Sequence, residues 1–541
     1  MAAKEDENML KQRLIRLLTV VFIICLLAAS CIPSYSQPDF NIPPFSSESY
    51  KRDEACNRAF PHIYTEALSI GIGFERDLYT DSDAEFYAGE ILNDLYTLCG
   101  ALSVPNPEKL ALYVLNDTDR GAGYVSGNKL FCTRQEFESG SYRRLLVKLA
   151  LQTDSEWVAY GLSGIAFDEK PDVESLKEYY CTAENINVLG LSPIRFSLFW
   201  NTAEELKIAE QTAVSLAGYV LEQHGLDVLL SGIDDKIKTD WMKSIGVQRE
   251  FSFAYGDILD GFSYSLSKDY PLIAECDSII YYLRPTNCNP IGYDLKTAED
   301  VERHLYRTTK SRYSEIDFIK NNAGGSLESA NIELQTKYYQ NSEYRSKCYT
   351  LGQAIYMNPN LYYASHEIAH ALLYNPGAPY FMTEGLADYL SIIACDDEYW
   401  LDFYKQDIEM AQSGGDLEEC YLLAYEYYTK HGGPTDASID ARLYYDAYTY
   451  GGIEAGTVTN THMIDPIYKA YGFEKKDASF GDELTYYQAG SFVSYLCDTY
   501  GFDRVLDYYF KTPPIKDAFQ KDYEILKADW LDYLYREYPA G

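Results

Sequence analysis

Seven histidines are spread over 541 residues, and two of them stand four apart with a glutamate between: Ser365-His366-Glu367-Ile368-Ala369-His370-Ala371-Leu372. On an α-helix, positions i and i+4 share a face one turn apart, so both imidazoles can converge on one metal ion while Glu367 faces a neighbouring site. Asn358-Pro359 offers an N-cap and first-turn proline, and Asn375-Pro376-Gly377 a stop, so the segment predicts a helix between them. Glu384 stands fourteen positions after His370, in Thr383-Glu384-Gly385-Leu386-Ala387-Asp388. A second helix is expected from about Thr383. Within it Glu384 and Asp388 are again i and i+4, one placed to be a third ligand and the other to orient a ligating histidine. Two imidazole nitrogens and one carboxylate oxygen, with a fourth position open for water, suit zinc, and Glu367 is then the general base.

The order H-E-x-x-H, short loop, E-G-L-A-D-Y resembles the gluzincin metallopeptidases, and the run from Pro379 to Tyr389 is similar to the peptidase-MA-like group of bacterial gluzincins. Carried over residue by residue, the resemblance implies His366, His370 and Glu384 as Zn2+ ligands, Glu367 as base, and Asp388 as hydrogen-bond partner of a metal histidine. It also implies an oxyanion-stabilising tyrosine in a Y-x-x-G setting. Tyr487 of Tyr486-Tyr487-Gln488-Ala489-Gly490 is the candidate, with Tyr486 as the alternative, and a phenol can donate a hydrogen bond to an oxyanion. The implied fold class is α+β, a thermolysin-like unit with a small edge-stranded sheet and a helical subdomain. Ala354 to Met357 is its expected edge strand, able to pair with an extended substrate.

Composition bounds the partners. A formal charge of −36 with no basic stripe argues against nucleic acid and makes strongly acidic substrates or membrane surfaces poor partners. The 53 tyrosines read mainly as amphipathic packing. At this length two or three domains are expected.

Lys11, Arg13 and Arg16 precede an uncharged run from Leu17 to Ala29 and then Ser30-Cys31. A basic start, a short apolar core and small residues before a cysteine read as a secretory signal resembling a bacterial lipoprotein signal, with Cys31 as the lipidated residue. Ala28 stands where that family usually has leucine. Ordinary cleavage and an uncleaved anchor are the alternatives, and all three place the rest of the chain outside the cytoplasm. Membrane contact is then through the N-terminal lipid or anchor alone. Of twelve cysteines, ten follow Cys31, an even number that makes disulfides plausible in an oxidising compartment, with Cys276 and Cys288 a candidate local pair.

Three stretches echo the C-terminal half. Leu145 to Leu151 falls on the His366 to Leu372 positions, Tyr160-Gly161 on Glu384-Gly385, and Gln211 to Leu226 on Tyr487 to Phe502. The same order of weak matches is what internal duplication gives. The expected organisation is a signal over 1–31, a tether over 32–50, an inactive gluzincin-like domain over 51–250 lacking every metal ligand, and a catalytic domain over 251–541 with an insertion at about 391–480. Strands are expected at Leu110 to Leu115 and Ser278 to Leu283, a hairpin at Gly123 to Cys132, and helices at about Tyr142 to Gln152 and Thr297 to Thr309. The function expected is an extracytoplasmic zinc peptidase acting on a peptide or protein substrate. Its rivals are a surface binding lipoprotein on a peptidase-like scaffold, and a metal-dependent hydrolase of non-peptide bonds.

Overall fold

The computed structural model describes residues 50–53, 58–65, 70–75, 77–107, 109–118, 120–182, 191–197, 199–248, 256–259, 261–265, 267, 269–285, 295–340, 349–357, 361–394, 418–433, 440–455 and 481–536. The signal segment with Cys31, the 32–49 part of the tether and the Asn358-Pro359 cap lie outside them. The chain divides into two compact units, 1–115 and 116–541, a boundary inside the 51–250 segment.

In the first unit, β1 (Tyr50–Asp53), β2 (Arg58–Thr65) and β3 (Ile70–Phe74) pair antiparallel in order. Helix α1 (Asp81–Leu102) then carries the chain to β4 (Ala111–Leu115), which lies parallel to β3, as a parallel pair needs a crossover. Thr80 caps α1 by accepting from the Asp83 amide at 3.2 Å. Ala84, Ala88, Ile91, Leu95 and Leu98, spaced three or four apart, form its buried stripe.

The second unit opens with the expected hairpin, β5 (Tyr124–Ser126) and β6 (Lys129–Thr133), turned by Gly127 at φ 59°. Helices α2 (Arg134–Ser139), α3 (Arg143–Leu151), α4 (Glu156–Ala166), α5 (Val173–Thr182), α6 (Ala203–Gln223), α7 (Leu226–Ser231) and α8 (Asp235–Ser244) follow. Helix α4 packs on α6 through Gly161, where a Cβ would lie 2.5 Å from the Ala213 carbonyl oxygen and 2.6 Å from the Ala217 Cβ. Trp241 on α8 donates its indole N–H to Ser215 Oγ on α6 at 3.1 Å.

After the short α9 (Gly256–Leu259), a sheet forms from β7 (Ser263–Ser265), β8 (Leu272–Glu275), β9 (Ile279–Leu283), β10 (Thr336–Gln340), β11 (Tyr349–Leu351) and β12 (Ala354–Met357), in the order β7-β8-β9-β10-β12-β11. The β9/β10 and β10/β12 pairs are parallel and the others antiparallel. Helix α10 (Ala298–Asn322) links β9 to β10. Thr297 and Asp300 close a capping box at its start. It runs well beyond Thr309 because Arg312, Ile316 and Ile319 continue its buried face. Ala354 to Met357 is a strand but not the edge: β12 is flanked by β10 and β11, and β11 is outermost. Gly352 at φ 60° turns that hairpin.

Helices α11 (Leu361–Leu372), α12 (Tyr380–Ala394), α13 (Glu418–Lys430), α14 (Ala441–Glu454), α15 (Gly481–Tyr500), α16 (Phe502–Lys511), α17 (Ile515–Phe519) and α18 (Tyr523–Tyr535) complete the α+β architecture. The inner sheet face, with Ile279, Tyr281, Leu283, Tyr338 and Ile355, shares one core with Leu305, Ile368, Phe381, Phe492 and Trp530 of the helices. Helix α12 packs on α15 through Gly385, where a Cβ would lie 2.5 Å from Val493 Cγ2 and 2.6 Å from the Ala489 carbonyl oxygen. Trp530 on α18 donates to Ser491 Oγ on α15 at 3.1 Å. Helices α13 and α14 belong to the expected insertion and pair through a core of Tyr427, Tyr428, Tyr444, Tyr445, Tyr448 and Tyr450.

Cys276 carries a free thiol, as do Cys99, Cys132, Cys181, Cys420 and Cys497, and Cys288 lies outside the described residues. The expected local Cys276–Cys288 pair therefore falls partly outside the described residues. Among the described residues no helix is long and apolar enough to cross a membrane.

Candidate metal centre

Helix α11 presents His366 and His370 one turn apart, and α12 starts at Tyr380 rather than Thr383 because the Pro379 carbonyl accepts the Met382 and Thr383 amides at 3.0 and 3.1 Å. That extra turn carries Glu384 to the face of α11. His366 Nε2 and His370 Nε2 are 3.0 Å apart, and Glu384 Oε2 lies 3.2 Å from the first and 3.3 Å from the second. These three side chains form a mostly buried group able to hold a metal ion.

The tautomer follows from the neighbours. Asp388 is fully buried and its Oδ1 lies 2.8 Å from His366 Nδ1; an ionised carboxylate only accepts, so Nδ1 carries a hydrogen and Nε2 is the nitrogen that faces His370 and Glu384. Burial alone would push the His366 ring toward its neutral form, but the hydrogen bonds it donates to Asp388 and Glu384 outweigh it and hold its pKa well above the ordinary histidine value, so a metal binding at Nε2 would displace a proton there. Burial would raise the Glu384 carboxyl, and the two facing imidazoles override it, keeping the carboxyl well below the usual carboxylate range. The site therefore gathers three donor atoms in little solvent, and a cation there would take the place of the Nε2 proton.

Glu367 is buried beside this group, and the Thr350 hydroxyl on β11 donates toward its Oε2. The two tyrosines separate sharply. Tyr486 faces the centre, its ring 6.2 Å from that of His366, whereas Tyr487 turns to the insertion and packs edge-on against Tyr445 at 4.8 Å. The fallback, not the first choice, stands at the site. Tyr380, which the sequence reading passed over, brings its hydroxyl within 3.3 Å of that of Tyr486. Burial, then the negative charge of Glu384, raises the pKa of both phenols, so both keep their protons as donors. The missed Tyr380 had a readable signal: it is four residues before Glu384 and so on the same helical face.

The packing fixes these positions. A Cβ at Gly490 would lie 2.7 Å from Tyr445 and 3.1 Å from the Asp388 Cβ, so α15 and the insertion close in behind the carboxylate that orients His366. Compared with family models, curated proteins and solved structures, the chain has no match.

Proposed function

We propose that this chain is a zinc-dependent peptidase of gluzincin type, exported from the cytoplasm and tethered through Cys31, with its catalytic centre on α11, α12 and α15. One observation carries the reading: the three donor atoms form a triangle with edges of 3.0, 3.2 and 3.3 Å. Bonds of about 2.0–2.1 Å to tetrahedral zinc place ligand atoms roughly 3.3 Å apart, so the donors fit that ion with little movement. Asp388 behind His366 is the outer partner such ligands use.

Zinc at these donors supplies Lewis acidity, which acidifies water and polarises a substrate carbonyl. The chain's own residues do the rest. Glu367 accepts the proton of the attacking water and passes it to the leaving amine nitrogen as the C–N bond breaks. Tyr486, steadied by Tyr380, donates to the developing oxyanion. Peptide amides are the substrate class assigned, through the motif resemblance.

Internal duplication belongs to the same reading, with an inert first copy. Each half runs antiparallel, antiparallel, parallel through four strands, with a long helix before the fourth and a hairpin after it. Gly161 meets Ala213 and Ala217, and Gly385 meets Ala489 and Val493, which are matched positions. Ser215 and Ser491, also matched, each accept from a downstream tryptophan. Gly225 and Gly501, with φ of 88° and 92°, sit at the same junction of two helices.

The test is metal content by mass spectrometry on the purified chain and on a His366→Ala/His370→Ala variant, with turnover of a mixed-sequence fluorogenic peptide library. One zinc per parent chain, none in the variant, and a zinc-loaded but inactive Glu367→Gln support the proposal. A parent that holds no zinc after reconstitution sinks it and puts the binding scaffold in front.

A further inference from the structure

Thr350 is the middle residue of β11, the outermost strand of the second sheet, and pairs with Ile355 of β12. From there its hydroxyl crosses to α11, seventeen positions along the chain, and reaches two acceptors of one residue: Glu367 Oε2, and the Glu367 backbone carbonyl at 3.1 Å. A hydroxyl has one proton to give, so the two contacts are alternatives that rotation about the C–O bond exchanges.

We propose that Thr350 is the positioning residue for the general base. The inference rests on the peptidase reading above. With Glu367 ionised, Thr350 donates to Oε2 and leaves Oε1 as the oxygen that takes the proton from water. Once Oε1 carries that proton, Oε2 is the carbonyl oxygen of the carboxyl group and still accepts from Thr350, so the carboxyl keeps its orientation until Oε1 releases the proton to the leaving amine. The hydroxyl thus has a partner in both protonation states, and the proton count closes: one leaves water, one arrives on nitrogen, and Thr350 keeps its own. Without the hydroxyl a carboxylate at the end of a three-torsion side chain can rotate away from the line of attack. Holding a reacting group to a few tenths of an ångström is what outer partners supply, and their loss costs about 10–100-fold. A bare structural role, tying β11 to α11, requires the 3.1 Å contact to the Glu367 backbone carbonyl but not the one to Oε2.

The experiment compares the parent with Thr350→Val, which keeps the β-branched shape, and Thr350→Ser, which keeps the hydroxyl. Thr350→Val should lose about 10–100-fold in kcat with KM and zinc affinity within about twofold, and Thr350→Ser should recover most of it. Crystal structures of the three zinc-loaded proteins give a readout independent of turnover: one Glu367 carboxylate orientation in the parent and the serine variant, a rotated or split one in the valine variant. A valine variant with parental kcat, or an undisturbed carboxylate in it, overturns the proposal. So does a serine variant as impaired as the valine one, since the methyl packing then matters and not the hydroxyl. If the parent holds zinc yet cleaves nothing, the peptidase reading falls, and the carboxylate orientation still decides the role of Thr350.

Discussion

Asp388→Asn isolates the contribution of one buried charge to metal binding. Asparagine fills the same volume, and the neighbouring Gly490, whose Cβ would lie 3.1 Å from that of Asp388, leaves the side chain little room to move. The amide oxygen can still accept from His366 Nδ1, so the change replaces a hydrogen bond to a charged acceptor, worth about 1.5–3 kcal/mol, by a neutral one of about 0.5–1.5 kcal/mol. The difference of about 1–1.5 kcal/mol corresponds to a zinc Kd roughly tenfold weaker. Asp388→Ala removes the acceptor altogether and leaves a buried N–H unsatisfied, about 1–3 kcal/mol, so its Kd should rise by up to about a hundredfold. The assay is competition with a fluorescent chelator at pH 8, with circular dichroism confirming the fold and Glu367→Gln as the variant whose Kd stays put. If both Asp388 variants bind zinc within twofold of the parent, Asp388 does not set the His366 tautomer and the argument for the centre loses its support.

Two further outcomes test the packing. Asp446, fully buried on α14, accepts from Ser491 Oγ at 2.6 Å and Tyr533 O–H at 3.0 Å; burial pushes its carboxyl up to about 7, with Arg442 opposing and Asp498 adding to the shift. An unfolded aspartate titrates near about 3.9, so the folded state binds the proton more tightly. This contribution is full below pH ~4, lost as pH rises to ~7, and amounts to about 4 kcal/mol at most. Urea unfolding at pH 5 and pH 8 should show Asp446→Asn removing most of that fall; an unchanged slope contradicts it. Gly385→Ala and Gly161→Ala each push a methyl onto a backbone carbonyl oxygen and should cost about 1–3 kcal/mol apiece by thermal unfolding. Only the first should also weaken zinc binding; equal zinc loss in both, or no cost in either, is incompatible with the matched helix contacts.

What was legible in the sequence was local. His366, His370, Glu384 and Asp388 could be assigned because helical spacing alone puts each pair on one face, and the close pair of helices needed only a short loop. Tyr486 was misplaced by one residue for a different reason: the phase of α15 is set by what it packs against. Tyr486, Ala489, Gly490 and Val493 form an i, i+3, i+4, i+7 row, and Ala489 and Val493 are the residues against Gly385, so the row was in the sequence but its partner was not. Tyr487 lies about 100° round the helix and meets the tyrosines of the insertion instead. The edge strand was missed by one hairpin, whose turn glycine, Gly352, was the available clue. Thr350 had no such clue, because a strand hydroxyl reaching a helix seventeen residues on depends on the register of the whole sheet.

On the proposed duplication, the two copies solve one problem in different ways. Where α11 and α12 gather two imidazoles and a carboxylate, α3 places Arg144 between Glu136 of α2 and Glu156 of α4, each at 3.0 Å, with Lys148 paired to Glu156. Burial disfavours the charges of Arg144, Glu136 and Glu156, and their pairing restores them: Arg144 is held protonated, and both carboxyls stay low. Tyr160, at the position matched to Glu384, has its phenol pushed up to about 12 by burial and stacks on Phe196 at 4.6 Å, closing the space with an aromatic ring. Two cations and two anions balance within the first copy, so it has no need of an external ion. The second copy has three donors and a buried anion behind them, and the basic groups among those donors are two imidazoles, which can give up a proton to a metal ion as Arg144 cannot. On the proposed duplication, that difference between imidazoles and a guanidinium suits α11 and α12, and not α3 and α4, to the proposed metal.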